Sequence, residues 1–459
     1  MSDLSTSGAA NPEQTKTVVP VKLTAYRWYV ILLLAVLYVN YNVDRNLVAI
    51  LVEPLRAEFA LSDSQLGLLT GLSFAISFAI AGIPLGLLID RVNRVKLYTT
   101  LMVIWSVATV LCGFAKSYAI LLATRVVVGG AESGAAPASM SILSDYFPKE
   151  KRGGAIGLFY LGTPIGLAVA YAGGGFLADQ VGWRMTFIIA GAPGFLLALL
   201  TWFTLREPKR GAMDEPGKNA QLVSSFSTVI AVMKAKKSLI ILFFAAVTCI
   251  AGISGLTAFK ASLYVRYFDV SLTEAGIFLG LILGLAGAIG TPLGGYVADI
   301  VSKRSLSYAP IVAGVFVLIS APFAMAAIFA SSVEVSVALF FVYSVLTSAT
   351  YLGPTLSTFL TLSPPRLRGA MSALIIVGMN MFGFGVGPQF TGVASDMLNN
   401  AGVHEPLRVA MFMVSFFLVL SGILYLWASR TTNADAALEV DDSGNAIRPG
   451  TRVMAAART

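Results

Sequence analysis

Residues 119–153 read AILLATRVVVGGAESGAAPASMSILSDYFPKEKRG, a long apolar stretch that is interrupted by charges. It is long and apolar enough to cross a bilayer, yet Arg125 and Glu132 lie in its middle, where charge is costly. The two residues are two helical turns apart, so their side chains face one side of a helix and can share a polar cavity. The stretch ends at Asp145, Pro148 and a basic run, as expected for a helix end on the cytoplasmic side.

The composition is that of a polytopic membrane protein. Of 459 residues, 56% are hydrophobic and only 12% are charged, and the mean hydropathy is +0.79. Soluble domains carry about twice that share of charged residues. Hydropathy predicts twelve spans, at residues 28–52, 65–89, 96–114, 118–144, 154–177, 185–204, 239–264, 274–298, 307–329, 334–361, 370–394 and 407–428.

The distribution of lysine and arginine predicts the orientation. An even number of spans places both termini on one side, and the termini and loops of that side carry 24 of the 32 basic residues, against five in the opposite loops. Cytoplasmic loops are rich in basic residues, so both termini are predicted in the cytoplasm, with the chain in the cell (inner) membrane. This distribution assigns the net charge of +8 to the membrane surface, and no nucleic-acid partner is predicted.

The segments outside the spans divide the chain. Residues 1–26 are predicted to form a disordered cytoplasmic arm, because they lack the apolar core of a signal peptide. Residues 205–238 are predicted to be a cytoplasmic linker between two six-helix bundles, 27–204 and 239–430. A disordered cytoplasmic tail is expected at 431–459.

Cysteine, histidine and short motifs indicate neither a metal site nor a cofactor. Cys112 and Cys249 fall inside spans and read as small buried side chains, and His404 reads as a solvated loop residue. The sequence contains no G-x-x-x-x-G-K-[ST], H-E-x-x-H or G-x-S-x-G motif, so neither ATP-driven transport nor a membrane hydrolase is predicted. We therefore expect a protein that is not an enzyme.

The two bundles repeat in sequence with a shift of 209 positions. Five residues recur at that shift: Ser62, Gly67, Gly71, Gly86 and Asp90 recur as Ser271, Gly276, Gly280, Gly295 and Asp299. We therefore expect an all-α membrane protein with twelve transmembrane helices in two six-helix bundles, related by a pseudo-two-fold axis along the membrane normal. The substrate is expected between the bundles, reached from each side in turn.

The loop after the second span resembles a motif of the major facilitator superfamily. It reads GLLIDRVNR from Gly86 to Arg94, and GYVAD from Gly295, followed by Lys303 and Arg304, is similar to its weaker second copy. The resemblance covers nearly the whole chain and implies alternating access. It also implies a cytoplasmic latch, for which six residues are predicted: Asp90, Arg91, Arg94, Asp145, Asp299 and Arg368.

In this latch Asp90 would bind the helix N-terminus near Arg368 in the other bundle and pair with a nearby arginine. The alternative is that Asp90 only terminates its helix.

Within that superfamily the chain resembles the Spinster-like transporters. Asn40-Tyr41 followed by Asp44-Arg45 is similar to that family's Asn-Tyr-x-x-Asp-Arg signature, and the arginine and glutamate of span four match its substrate-facing helix. GLFYLGTPIGLAVAYAGGG in span five and REPKRG after span six fit the same family. The anion–cation symporters share the charges of spans one and four and are the nearest alternative.

Five charged residues lie inside the predicted spans, away from the first and last two positions, and are predicted to be buried: Asp44, Arg45, Arg125, Glu132 and Lys260. Desolvation favours the protonated form of a carboxylate and a nearby cation opposes it, so Asp44 is placed to change protonation as access alternates. The alternative is a static pair of Asp44 with an arginine. Glu132 is either a second proton site or the partner that neutralises Arg125.

The sequence allows two orientations of the Lys260 side chain. This flexible side chain either extends outward to the membrane surface or turns into the cavity, where pairing with Asp44 or Glu132 would hold the outer side closed.

The predicted cavity combines cations with apolar walls. An arginine can hold a phosphate or carboxylate at two points, and an acyl chain suits aromatic walls. The predicted substrate-binding residues are Arg125, Arg45, Tyr41, Lys260 and Tyr160. The predicted walls are Phe74, Phe78, Phe159, Tyr160, Phe259, Phe382 and Phe384.

Three functions follow from these residues. The resemblance implies a proton-coupled transporter of an anionic or zwitterionic lipid of sphingolipid or lysophospholipid type. The second candidate is a proton-coupled symporter of small organic anions such as sugar acids. The third, a non-transporting membrane scaffold, has no need to retain costly buried charges. We expect a monomer whose partners are the substrate, protons and membrane lipids.

Overall fold

The computed structural model describes residues 24–213, 226–440 and 446–447, and nearly all of these are helical. The predicted arm up to residue 23, the middle of the linker at 214–225 and the tail at 441–445 and 448–459 lie outside the described residues.

Twelve spans can be traced in the described part of the chain. Ten helical stretches have the length and hydropathy of a membrane span, and Glu150–Thr204 is two spans, because Gly182 breaks it with a φ of +78°. Ala25–Ile50 is the remaining span; its 26 residues extend about 39 Å. We number the spans 1 to 12 in chain order: Ala25–Ile50, Asp63–Ile89, Arg94–Gly113, Tyr118–Tyr146, the two parts of Glu150–Thr204, Lys237–Phe268, Leu272–Ser302, Tyr308–Ile328, Val333–Leu362, Arg368–Asn400 and Pro406–Ala437.

The shorter elements lie between and after the spans. A helix at Val52–Phe59 follows span 1, and a helix at Phe226–Ala235 lies in the linker. A 3₁₀ turn at Pro365–Leu367 precedes span 11, and the strands Glu439–Val440 and Ala446–Ile447 pair antiparallel after span 12.

Spans 2, 5, 8 and 11 form the interface between the two bundles. Span 2 packs on span 11 and span 5 packs on span 8, so each contact joins one bundle to the other, as pseudo-two-fold symmetry requires. Each of the four contains a π-helical segment, which inserts one residue into the helix and is frequent at functional sites. These segments are Leu68–Leu72, Val169–Gly173, Leu281–Leu285 and Met379–Phe384.

The bundles meet at one membrane face and part at the other. We call the face at which spans 1 and 7 begin the terminal face, and the other the opposite face. One apolar core cluster joins Leu51, Leu55 and Tyr171 of the first bundle, near the opposite face, to the second bundle, whereas first-bundle residues nearer the terminal face form a separate cluster. The cavity between the bundles is therefore open at the terminal face.

The space around the glycines differs between the two faces in the same way. A Cβ atom on Gly67, near the opposite face, would lie 2.5 Å from the carbonyl oxygen of Pro388 in the other bundle. A Cβ atom on Gly86, Gly154 or Gly369, near the terminal face, would meet nothing within 4 Å.

The C-terminal tail begins later than predicted. Span 12 stays helical to Ala437, and Thr432 and Asp435 are buried. Asp435 Oδ2 accepts a hydrogen bond of 2.7 Å from the backbone N–H of Ser238, in the first turn of span 7, where N–H groups have no partner within the helix. The prediction of disorder from residue 431 is therefore wrong for residues 431–437, because the composition gave no sign of this distant capping contact.

We expect the glycines of span 8 to differ in their tolerance of a methyl group. Gly294→Ala would drive a Cβ atom into the backbone of Ala349, and overpacking of this kind costs about 1–3 kcal/mol. Gly287 has no neighbour within 4 Å of that position, so Gly287→Ala is expected to stabilise the helix by about 0.5–1 kcal/mol. Thermal unfolding of the detergent-solubilised protein, followed by tryptophan fluorescence, measures both; equal shifts in the two variants would contradict the packing.

Candidate functional site

Spans 1 and 4 bring three of the predicted residues into one polar cluster. Asp44 is 0% exposed, and Arg125 and Glu132 are each 1% exposed. Arg125 donates from Nη1 to the backbone oxygen of Asp44 at 3.1 Å and from Nη2 to that of Arg45 at 3.2 Å. The guanidinium therefore binds the main chain of span 1 and leaves the Asp44 carboxylate to other donors.

The Asp44 carboxylate is only half satisfied. Its Oδ2 accepts a hydrogen bond of 3.0 Å from Asn40 Nδ2, one turn earlier in span 1. Its Oδ1 is buried and has no hydrogen-bond partner among residues 24–213, 226–440 and 446–447. The polar groups of Trp105 and Thr109 of span 3 lie beside the carboxylate, close enough to act on it but outside full hydrogen-bond geometry.

Glu132 belongs to the same buried cluster. Both of its carboxylate oxygens are buried without a hydrogen-bond partner in the part of the chain that the structure describes. The charged groups that act on it are those of Arg125, Asp44 and Arg45. The cluster thus holds two carboxylates, one arginine bound to the backbone, and a second arginine at its edge.

Arg45 links the two bundles near the middle of the membrane. It donates from Nη1 to the Tyr41 hydroxyl at 2.7 Å and from Nη2 to Asn380 Oδ1 in span 11 at 3.0 Å. Its guanidinium carbon lies 4.7 Å from the ring centroid of Phe74 and 4.8 Å from that of Phe384. Sequence reasoning missed Asn380, whose single signal was an amide within an apolar span.

The predicted aromatic residues divide into packed and accessible ones. Phe159 is fully buried and stacks on Tyr38 with a centroid distance of 4.2 Å, and Phe259 is fully buried in the second bundle. Tyr160, Phe382 and Phe384 are exposed. The accessible rings thus include two beside the Arg45 region, Phe384 and Tyr160; the latter meets Tyr38 edge-on.

Neither alternative for Lys260 describes its position. The side chain is 0% exposed, so it does not reach the membrane surface, and its Nζ has no hydrogen-bond partner within the described ranges. Nζ lies 4.7 Å from the ring centroid of Phe340 and 4.9 Å from that of Tyr343, both in span 10. The ammonium therefore makes cation–π contacts within the second bundle and does not pair with Asp44 or Glu132. Because it is fully buried, substrate cannot reach it in the present state.

The opposite face is closed by a different cation. Arg266 at the end of span 7 donates to both carboxylate oxygens of Asp63 at 3.0 and 2.8 Å and to Glu53 at 2.8 Å, and Ser395 donates to Asp63 at 2.6 Å. Asp63 and Glu53 belong to the first bundle, so these bonds join the two bundles.

The predicted latch is apart at the terminal face. Asp90, Arg91, Asp299 and Arg368 are all exposed. Arg368 donates to the backbone oxygen of Leu360 in its own bundle at 3.1 Å, and no described contact joins it to Asp90. The latch stays a prediction for the state in which the terminal face is closed.

Arg94 and Asp145 act within one bundle. Arg94, which is 1% exposed, pairs with Asp145 at 2.5 Å and with Glu207 at 2.7 Å, and it donates to the backbone oxygen of Pro208 at 2.9 Å. These contacts fasten the REPKRG segment to the ends of spans 3 and 4. Their partners in this state follow span 6, so their assignment to the latch stays a prediction, as it does for Asp90; sequence reasoning quoted that segment and did not assign Glu207.

A solved structure matches this geometry along most of the chain. The crystal structure of a bacterial homolog to the human lysosomal transporter Spinster, in an inward-facing and unoccupied conformation, superimposes with a TM-score of 0.81. Its sequence is 31% identical, and the match covers 90% of this chain and 98% of that chain.

Curated relatives cover similar lengths. An MFS-type efflux pump of Mycolicibacterium smegmatis is 27% identical over 89% of this chain and 94% of the relative. The sphingosine-1-phosphate transporter SPNS2 of Danio rerio is 26% identical over 84% of this chain and 81% of the relative. The probable galactarate/D-glucarate transporter GudP of Bacillus subtilis is 29% identical over 64% of this chain and 70% of the relative.

The family model described as Major Facilitator Superfamily matches residues 32–388, more than half of the chain. With the twelve spans, the crossed contacts of the two bundles and the Spinster homolog, this match identifies a transporter family and excludes an enzyme family. The chain belongs to the major facilitator superfamily and, within it, to the Spinster-like transporters.

Proposed function

We propose that the protein is a proton-coupled transporter of a single-chain amphipathic lipid with an anionic or zwitterionic head group. The observation that carries the proposal is the buried cluster of spans 1 and 4, in which Arg125 binds backbone oxygens and leaves Asp44 and Glu132 short of donors. This cluster lies beside Arg45, a cation that is not fully buried and is held at the interface of the two bundles.

The carboxylates supply the proton-coupling part of the proposal. A charged carboxylate that is buried with too few donors costs several kcal/mol, and binding a proton removes that cost. Asp44 and Glu132 can therefore bind a proton when water cannot reach them and lose it when the bundles rock and water enters. A static pair of Asp44 with an arginine has less support, because Arg125 makes its hydrogen bonds to the backbone.

Arg45 and its aromatic neighbours are the proposed substrate-binding groups. Its guanidinium can bind a phosphate or carboxylate at two points once it leaves Tyr41 and Asn380, and the rings of Phe74 and Phe384 beside it suit an acyl chain. Arg125 is more deeply buried and holds span 1 in place behind this site. The similarity to a sphingosine-1-phosphate transporter supports a lipid with a phosphate head group.

The orientation proposed from the basic residues places the terminal face in the cytoplasm of the cell's inner membrane. In that orientation the structure is open to the cytoplasm, and its likeness to an inward-facing Spinster homolog supports this assignment. The molecule acts as a monomer in this proposal, because both bundles come from one chain.

A sugar acid is the second candidate substrate. The similarity to a probable galactarate/D-glucarate transporter favours it, and such a ligand would use the arginine without the aromatic rings. A scaffold without transport leaves the buried carboxylates unexplained.

We expect Asp44→Asn to abolish transport driven by a pH gradient in proteoliposomes and to leave substrate binding measurable. Asparagine fits the same volume and bonds to Asn40, and it cannot exchange a proton. Glu334→Gln, a change at an exposed carboxylate in the first turn of span 10, is the control and should transport at the wild-type rate. Wild-type transport by the Asp44 variant would refute its proton role.

We expect Arg45→Ala to weaken lipid binding by about tenfold or more, since a hydrogen bond to a charged group contributes about 1.5–3 kcal/mol. Lys303→Ala removes an exposed cation of the second bundle and should leave the affinity unchanged. Isothermal titration calorimetry in lipid nanodiscs measures both variants. Equal affinity in wild type and the Arg45 variant would show that another group binds the head group.

A thermal-shift screen in nanodiscs separates the two substrate classes. A ligand present at 100 times its Kd stabilises the folded state by about 2.7 kcal/mol, so binding appears as a raised midpoint. We expect single-chain phospholipids and sphingosine-1-phosphate to raise it and galactarate and glucarate to leave it unchanged. A shift with the sugar acids alone would replace the lipid proposal by the second candidate.

A further inference from the structure

Two carboxylates at the opposite face bind across the bundle interface in the same way. Asp396 of span 11 accepts hydrogen bonds of 2.9 Å from the backbone N–H groups of Asp63 and Ser64, in the first turn of span 2. Asp179 of span 5 accepts hydrogen bonds of 2.7 and 2.6 Å from the backbone N–H and the hydroxyl of Thr273, in the first turn of span 8. Each carboxylate thus binds the start of a helix in the other bundle.

The first turns of spans 2 and 8 keep backbone N–H groups available for these carboxylates. Span 2 begins with a capping box in which Ser62 and Gln65 bond each other's backbone N–H groups, and span 8 begins with the same arrangement of Ser271 and Glu274. A capping box satisfies the N-cap and third N–H groups and leaves those between them unpaired. Asp396 takes both of these donors at span 2, and Asp179 takes the one on Thr273 at span 8, in each case at the positive end of the helix dipole.

Glycines set the helices close enough for the carboxylates to reach. Gly392 lies one turn before Asp396, and a Cβ atom there would collide with the backbone oxygen of Asp63. Gly175 lies one turn before Asp179, and a Cβ atom there would collide with the backbone oxygen of Leu272. Small residues at a crossing allow this approach of two backbones.

The two arrangements are copies of each other in the sequence. Gly-x-x-x-Asp occurs at Gly175 to Asp179 and again 217 positions later, and the capping serines recur at the shift of 209. The N–H donors lie on spans 2 and 8, which are equivalent helices of the two bundles. The carboxylates lie on spans 5 and 11, which are equivalent as well. The contact is therefore a symmetric pair, which we call the cap locks.

We propose that the cap locks of Asp179 and Asp396 hold the opposite face closed, and that both must break when this face opens. The inference rests on the alternating access in the proposed function and is independent of the substrate and of proton coupling. Asp179 is exposed and Asp396 is half-buried, so water competes more strongly for the bonds of Asp179 and the lock of Asp396 is the stronger one.

Spin-label distances test the proposal in the full-length protein in nanodiscs. Labels at Ala57→Cys and Asn400→Cys report the opposite face, and labels at Glu150→Cys and Gly369→Cys report the terminal face; these four positions are exposed and the native cysteines are buried. We expect Asp396→Ala to raise the population with the opposite face open by at least about fivefold, Asp179→Ala to raise it less, and the double variant to raise it most. Glu334→Gln, on the same face without an inter-bundle contact, should leave the distances unchanged.

A second pair of variants keeps the carboxylates and tests the approach of the backbones. Gly276→Ala places a Cβ atom against the backbone oxygen of Tyr171 in the other bundle, whereas Gly295→Ala, on the same span, meets nothing within 4 Å. We expect the first to open the opposite face and the second to leave it closed. Unchanged distances in the carboxylate variants and in Gly276→Ala would overturn the proposal, and they would leave the transport assays of the proposed function unaffected.

Discussion

The structure depends on which hydrogen-bond partners its charged side chains find where water cannot solvate them. The hydrogen bonds of Arg125 to the backbone oxygens of Asp44 and Arg45 are the central example, because they fix span 4 against span 1 and leave the nearby carboxylates unsatisfied. An arginine that paired directly with Asp44 would have favoured the charged form of that carboxylate. In the proposed function, the cost left on these carboxylates is what lets the cluster bind and release protons.

In this state the charged residues of one membrane face bond between the bundles, and those of the other face do not. At the opposite face, Arg266 and three aspartates bond across the bundles, whereas at the terminal face the charged motif residues are exposed and Arg94 bonds within one bundle. The sequence repeat explains why both faces have candidate contacts. Spans 2 and 8 carry a capping serine at one end and an aspartate at the other; the first end contacts the other bundle in this state, and the predicted latch would use the second.

The fold could be predicted closely from the sequence, and the candidate site only in part. Hydropathy fixed the spans to within a few residues at most ends, because the bilayer sets their length, and the repeat fixed their arrangement. The placement of Arg125 and Glu132 on one helix face followed from their spacing, and Asp44 was predicted separately as a buried charge of span 1. The partners of Arg45, Arg94 and Lys260 did not, because they come from segments far along the chain, and an amide, a linker glutamate and two aromatic rings give no local signal of where they will meet.

The π segments of the interface helices change how their sequences should be interpreted. One added residue turns everything beyond it by about 100° around the helix axis. A single helical wheel drawn for span 2, 5, 8 or 11 therefore assigns wrong neighbours to the residues on one side of the segment. Each of these spans is better drawn as two short wheels joined at the π segment, one for the end that meets the other bundle at the opposite face and one for the end that borders the open cavity. The two ends can then change sequence independently, one under the demands of close packing and the other under those of a water-filled surface.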